Sequence, residues 1–242
     1  MDITPLSDSL SGDKALYDKA FKLVPGYRQQ KICNLKNDAA KCRSLAAGLL
    51  LNYTTHAFIS GSVTGSLADN TPLAKKLPFP VTVSDAASTY MQEYDYETAC
   101  GANGKPYFKD HADLHFNLSH SGNFAVCIVA GMPYGIDVEG NRPFKPSVAK
   151  RFFSETEYHW IYDTENVSVQ AERFFRLWTL KEAYAKATGN GIAAEIYAAS
   201  YIPDTDSDGL CFADSETAAH FQIKEAEYNG LRIAAVLSDS AF

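Results

Sequence analysis

The stretch FFRLWTLKEAYAKATG, Phe174 to Gly189, limits the fold more than any other part of the chain. At a period of 3.6 residues, Phe174, Leu177, Trp178, Leu180, Tyr184 and Ala185 form one broad apolar arc. The spacing predicts a helix over Gln170 to Thr188, ended by Gly189. Glu182 and Lys186 lie together at the edge of the arc, where the helix meets the rest of the protein. Lys181 falls inside the arc, where an ammonium is expensive unless it snorkels or pairs, and the sequence assigns it no role. One turn apart, Glu182 and Lys186 read most plainly as a surface ion pair.

The rest of the chain has an α+β pattern. Asp38 to Phe58, rich in Ala and Leu, predicts a long helix with a basic first turn. The Gly/Ser/Thr stretch from Ser60 to Asn70 reads as a loop, and short strands are expected around Val81 and over Met91 to Tyr96. The apolar run FAVCIVA, Phe124 to Ala130, predicts a buried strand. Gly131-Met132-Pro133 makes a turn, and YGIDVE, Tyr134 to Glu139, is the expected returning strand. Ser154 with Glu157 is a capping-box pattern that opens a helix through Tyr162. LCFAD, HFQIKEAEY and LRIAAVL alternate as strands. Both halves thus place helix before strands, with the boundary expected in the Gly131–Gly135 turn, giving residues 1–133 and 134–242.

Composition narrows the class. With 242 residues, 46% hydrophobic and 21% charged, the chain can bury a real core and is expected to fold. A net charge of −7 argues against a general nucleic-acid binder. No apolar run approaches the roughly 18 residues that span a bilayer. The acidic start MDITPLSDSL lacks the features of a secretory signal. Five scattered cysteines without a CxxC pattern suggest reduced thiols, and a cytoplasmic location is expected. Two local basic patches stand out: Arg28 to Lys31 with Lys36, Lys41 and Arg43, and Lys145 with Lys150 and Arg151. Either could be a solvated face.

Asp137 and Glu139, two apart on a strand, point to one face, with Ile136 and Val138 on the other. Two adjacent carboxylates repel unless a cation lies between them, and oxygen donors suit Mg²⁺. The plain alternative is an exposed acidic edge. Glu182 could complete a three-carboxylate cluster with them, and Lys186 could take the phosphate side of a metal-bound ligand. In HFNLSHSG, His115 to Gly122, Ser119 and His120 stand in what reads as a polar loop before the buried strand. Sequence neighbours rarely make a nucleophile–base pair, and no G-x-S-x-G elbow is present, so phosphate contact suits them better than hydrolysis. A loop His bonded to its own backbone remains open.

Taken in order, five stretches resemble the Sfp-type 4′-phosphopantetheinyl transferases: Gly104-Lys105-Pro106; Phe116-Asn117-Leu118-Ser119-His120-Ser121; Gly135-Ile136-Asp137-Val138-Glu139; the run from Ala149 to Tyr158; and Leu177-Trp178-Thr179-Leu180-Lys181-Glu182-Ala183 followed by Lys186. Arg28, Lys31 and the Lys36 to Leu45 region resemble the family's CoA-binding N-terminal part. The resemblance implies a pseudo-dimer of two similar α+β halves with the active site in the cleft between them. It also implies transfer of the 4′-phosphopantetheine arm of coenzyme A to a serine of an apo acyl or peptidyl carrier protein, releasing adenosine 3′,5′-bisphosphate.

On that resemblance, Asp137, Glu139 and Glu182 would hold Mg²⁺, and Glu182 would also take the serine proton. Lys186 would bind the pyrophosphate and assist the leaving phosphate. Ser119 and His120 would contact the CoA phosphates, and Lys105 would lie near the adenine. Arg28, Lys31, Arg43 and Ser44 would take the 3′-phosphate. Lys145, Lys150 and Arg151 are the expected docking patch for an acidic carrier. A monomer is expected, with neither nucleic acid nor membrane as partner. Two alternatives remain: a Mg²⁺-dependent CoA pyrophosphate hydrolase, and a non-catalytic module that binds CoA or a carrier protein.

Overall fold

The computed structural model describes residues 2–59, 96–140 and 142–238. The expected loop at Ser60 to Asn70 and the strands expected around Val81 and over 91–95 lie outside them. The chain forms two compact units, and among the described residues one ends at Gly131 and the other begins at Met132.

The first unit opens with three short helices, α1 (Thr4–Gly12), α2 (Lys14–Leu23) and α3 (Gly26–Cys33), that the sequence reading had not singled out. They pack on the long helix α4 (Asp38–Ile59), which appears where its Ala/Leu pattern predicts it. Gly48 lets α3 and α4 approach closely: a Cβ there would meet Val24 Cγ1 at 2.8 Å and Arg28 Cγ at 3.1 Å. Strands β1 (Thr98–Cys100) and β2 (Pro106–Phe108) form a hairpin whose turn carries Gly104 at φ 78°, a backbone that favours glycine. Strands β3 (His115–Ser121) and β4 (Phe124–Ala130) form a second antiparallel pair.

The segment around Ser119 and His120 is strand β3 and not a loop, because Phe116 and Leu118 alternate into the core and carry the polar residues between them into the ladder. The strand after the Gly131–Pro133 turn does not return along β4. In the second unit, β5 (Tyr134–Gly140) pairs with β9 (Leu231–Ser238), which pairs with β8 (Phe221–Tyr228), giving the order β5-β9-β8. The second unit therefore starts on a strand, against the helix-first reading.

Between β5 and β8 run α5 (Pro146–Phe152), α6 (Glu155–Tyr162), α7 (Val167–Thr188), α8 (Ile192–Glu195), the hairpin of β6 (Tyr201–Pro203) and β7 (Leu210–Phe212), and α9 (Ser215–His220). The Ser154–Glu157 capping box forms in full, and Gly189 ends α7 at φ 76°. Helix α7 lies on the sheet, and Phe174, Leu177, Leu180, Tyr184, Phe221 and Val236 are part of one buried cluster. All five cysteines are free thiols, and no described helix is long and apolar enough to cross a membrane.

Candidate active site

The contact between α7 and β5 builds the site. Gly135 is the closest approach: a Cβ there would lie 1.8 Å from the Ala183 carbonyl oxygen and 2.4 Å from the Ala187 amide nitrogen. Alternation along β5 then puts Asp137 and Glu139 on the same helix-facing side. Asp137 is buried, at 5% exposure. Lys186 reaches across from α7 and donates to Asp137 Oδ1 at 2.6 Å and to the Ile136 carbonyl at 3.2 Å. Its ion pair is thus with the sheet, and the surface-pair reading with Glu182 gives way. Burial pushes the Glu182 carboxyl above the usual range; the charges of Asp137 and Glu139 push it the same way, and Lys186 opposes them.

Glu139 is held by a residue the sequence reading missed. Arg142 donates Nη1 to Glu139 Oε2 at 2.6 Å, and its guanidinium lies 4.7 Å from the Phe175 ring centre. The only sequence signal was a basic residue three positions after the second carboxylate. Asp137, Glu139 and Glu182 offer the carboxylate donors that suit a hard divalent cation. They are not assembled as a ready cage: among the described residues, no three His, Cys, Asp or Glu side chains are arranged to hold a metal ion. Asp137 and Glu139 are instead engaged by Lys186 and Arg142.

Lys181, left without a role by the sequence, is 1% exposed. It donates to the carbonyls of Ile196 and Ala199 at 2.9 and 2.7 Å and pairs with Glu157 Oε2 at 3.2 Å. Burial lowers its pKa, and Glu157 opposes that shift.

The remaining candidates lie in the first unit. Arg28 on α3 is buried, and its Nε and Nη1 make no hydrogen bond. Ser44 on α4, one turn before Gly48, is likewise buried with its Oγ unbonded. Lys31 is exposed and Arg43 half-buried. Lys105 is half-buried after the β1–β2 turn, and desolvation lowers its pKa. Ser119 is buried and His120 exposed, on opposite faces of β3, so the two side chains do not converge.

Residues 133–236, which include Asp137, Glu139, Glu182 and Lys186, match the 4′-phosphopantetheinyl transferase superfamily (ACPS). The chain is 41% identical over 90 residues to the 4′-phosphopantetheinyl transferase Sfp of Bacillus subtilis (strain 168), covering 37% of this chain and 40% of that protein. It is 46% identical over 107 residues to HetI of Nostoc sp., covering 42% of this chain and 43% of that protein. It is 34% identical over 126 residues to AcpT of Salmonella typhimurium, covering 51% of this chain and 65% of that protein. The chain thus spans less than half the length of Sfp and of HetI in these matches. Through residues 133–236, where both the shared sequence and the α7–β5 site lie, the chain is similar to the 4′-phosphopantetheinyl transferase superfamily and to the transferases Sfp and HetI.

Proposed function

We propose that the protein transfers the 4′-phosphopantetheine arm of coenzyme A to a serine of an apo acyl or peptidyl carrier protein, with Mg²⁺, and releases adenosine 3′,5′-bisphosphate. The meeting of Asp137, Glu182 and Lys186 at the α7–β5 contact, inside the segment that matches the superfamily, carries the reading. Phosphoryl transfer asks a protein mainly to position groups and neutralise charge.

Glu182 is the base for the serine hydroxyl. Burial, with the charges of Asp137 and Glu139, raises its pKa, which makes it a better proton acceptor than an ordinary carboxylate. Lys186 serves the pyrophosphate and the departing phosphate. A Mg²⁺ held by Asp137, Glu139 and Glu182 would neutralise charge on the phosphoryl oxygens.

The first unit takes the adenosine end of coenzyme A and the second carries the chemistry. A buried guanidinium with unfilled donors is expensive, and an anion relieves that cost. Arg28, which α4 approaches closely at Gly48, is assigned to the 3′-phosphate, together with the unbonded Ser44 hydroxyl one turn before that glycine. Lys31 and Arg43 add positive charge around it. Lys105 is assigned to the adenine and Ser119 and His120 to the phosphates, on the resemblance alone.

Calorimetric titration with coenzyme A and with 3′-dephospho-coenzyme A tests this. Charge-assisted hydrogen bonds of about 1.5–3 kcal/mol predict at least a tenfold preference for coenzyme A, lost in Arg28→Met. Equal affinity of the unaltered protein for both would remove the assignment.

A further inference from the structure

The acidic site already holds two cations of its own chain. Asp137 Oδ1 takes Lys186 Nζ at 2.6 Å. Glu139 takes Arg142 through both oxygens, Oε2 to Nη1 at 2.6 Å and Oε1 to Nη2 at 3.5 Å. Arg142 also lies within electrostatic reach of Asp137. Three carboxylates, Asp137, Glu139 and Glu182, are therefore nearly balanced by one ammonium and one guanidinium. Lys186 takes Asp137 through Oδ1 alone, whereas Arg142 faces both oxygens of Glu139, so a divalent cation reaches Glu139 only as Arg142 gives way.

We propose that Arg142 is a latch over this site: it stands in for the metal on Glu139, is displaced when a divalent cation binds, and so sets the metal affinity of the protein. The proposal rests on the metal-binding reading above. Three features favour Arg142 over Lys186 as the part that moves first. Its side chain is 55% exposed, against 28% for Lys186, so it can leave for water with little desolvation to reverse. It lies just past the end of β5, where no ladder holds it. Its contact with Phe175, a buried residue of α7, gives the guanidinium a resting surface that does not involve Glu139.

Mn²⁺ serves as the probe, titrated into the full chain without coenzyme A and followed by electron paramagnetic resonance of the free ion. Arg142→Gln should bind Mn²⁺ about three- to fivefold more tightly than the unaltered protein, the range a largely exposed pair can supply. Arg142→Lys keeps the charge but loses the two-nitrogen fork and should fall between them. Should Arg142→Gln not fold, as judged by thermal unfolding, Arg142→Lys alone still carries the test. Unchanged or weaker Mn²⁺ binding in folded variants overturns the latch while leaving the metal site standing. No Mn²⁺ binding by any form, the unaltered protein included, overturns the metal reading itself and the latch with it.

Discussion

Lys181 and Glu157 form an ion pair at 3.2 Å with both side chains sealed from water. The same glutamate accepts from the Ser154 amide at 2.7 Å, holding the start of α6, and from the Tyr201 amide at 3.0 Å, holding the start of β6. The same lysine ties α7 to the carbonyls of Ile196 and Ala199. Three segments thus fix the rotation of α7 at the residue next to Glu182, whose side chain projects about 100° further round the helix.

Removing one partner of a buried pair leaves an uncompensated charge. Lys181→Met should therefore lower stability by about 3–5 kcal/mol. Urea unfolding followed by circular dichroism measures it. A loss under about 1 kcal/mol would show that Glu157 finds other compensation.

Gly135→Ala should damage the second unit severely. The added methyl would fall on the backbone of Ala183 and Ala187, and backbone cannot swing aside as a side-chain tip can. Either α7 lifts from β5, which separates Glu182 and Lys186 from Asp137, or the unit fails to fold. The expected loss is about 3 kcal/mol or more. A well-folded variant with the parent's thermal midpoint would contradict the close approach.

Glu182 gives a pH signature in the metal-free protein. Because burial and Asp137 raise its folded pKa, protonation favours the folded state. This contribution to stability is present below the ordinary glutamate range and is lost as pH rises through the raised value. Activity should move the other way, rising as the base ionises. Carboxyl ¹³C titration by nuclear magnetic resonance should show the Glu182 midpoint fall in Asp137→Asn and climb in Lys186→Met. A midpoint that ignores both variants would refute the electrostatic description.

The basic patch has an aromatic neighbour. The Arg151 guanidinium lies 4.9 Å from the Phe152 ring centre, and the exposed Tyr197 donates its hydroxyl to the Arg151 carbonyl at 3.0 Å. Lys145 and Lys150 are exposed on the same short helix or at its start. Reversing charge at Lys150 and Arg151 together should raise KM for an acidic carrier about tenfold and leave coenzyme A affinity alone. An unchanged carrier KM would move docking elsewhere.

What was legible in the sequence was local. The arc of α7, its Gly189 end and the Ser154–Glu157 box depend on residues within a few turns, so their spacing alone reveals them. The partner of β5 was not legible. Pairing with β9 is decided by the three-dimensional packing of α7 on one sheet face, and Gly131–Pro133 looked like a hairpin turn. β3 was hidden because its core face is short, Phe116 and Leu118, between polar neighbours. For the site, the residues of α7 and β5 could be named beforehand, but their pairing could not. The i, i+4 spacing suggested Glu182 with Lys186, whereas the close approach at Gly135 brings Lys186 to Asp137. Arg142 and the buried role of Lys181 depend on contacts that no spacing encodes.

The central claim is tested most directly by weighing an apo carrier protein by intact-protein mass spectrometry after incubation with the protein, coenzyme A and Mg²⁺. The account predicts a metal-dependent gain of one phosphopantetheine arm on the carrier serine, with the rate falling at least about a hundredfold in Glu182→Gln. Coenzyme A cleaved with no carrier modified would point to a hydrolase, and coenzyme A bound but untouched across several carriers would point to a binding module. Either result would contradict the transferase assignment.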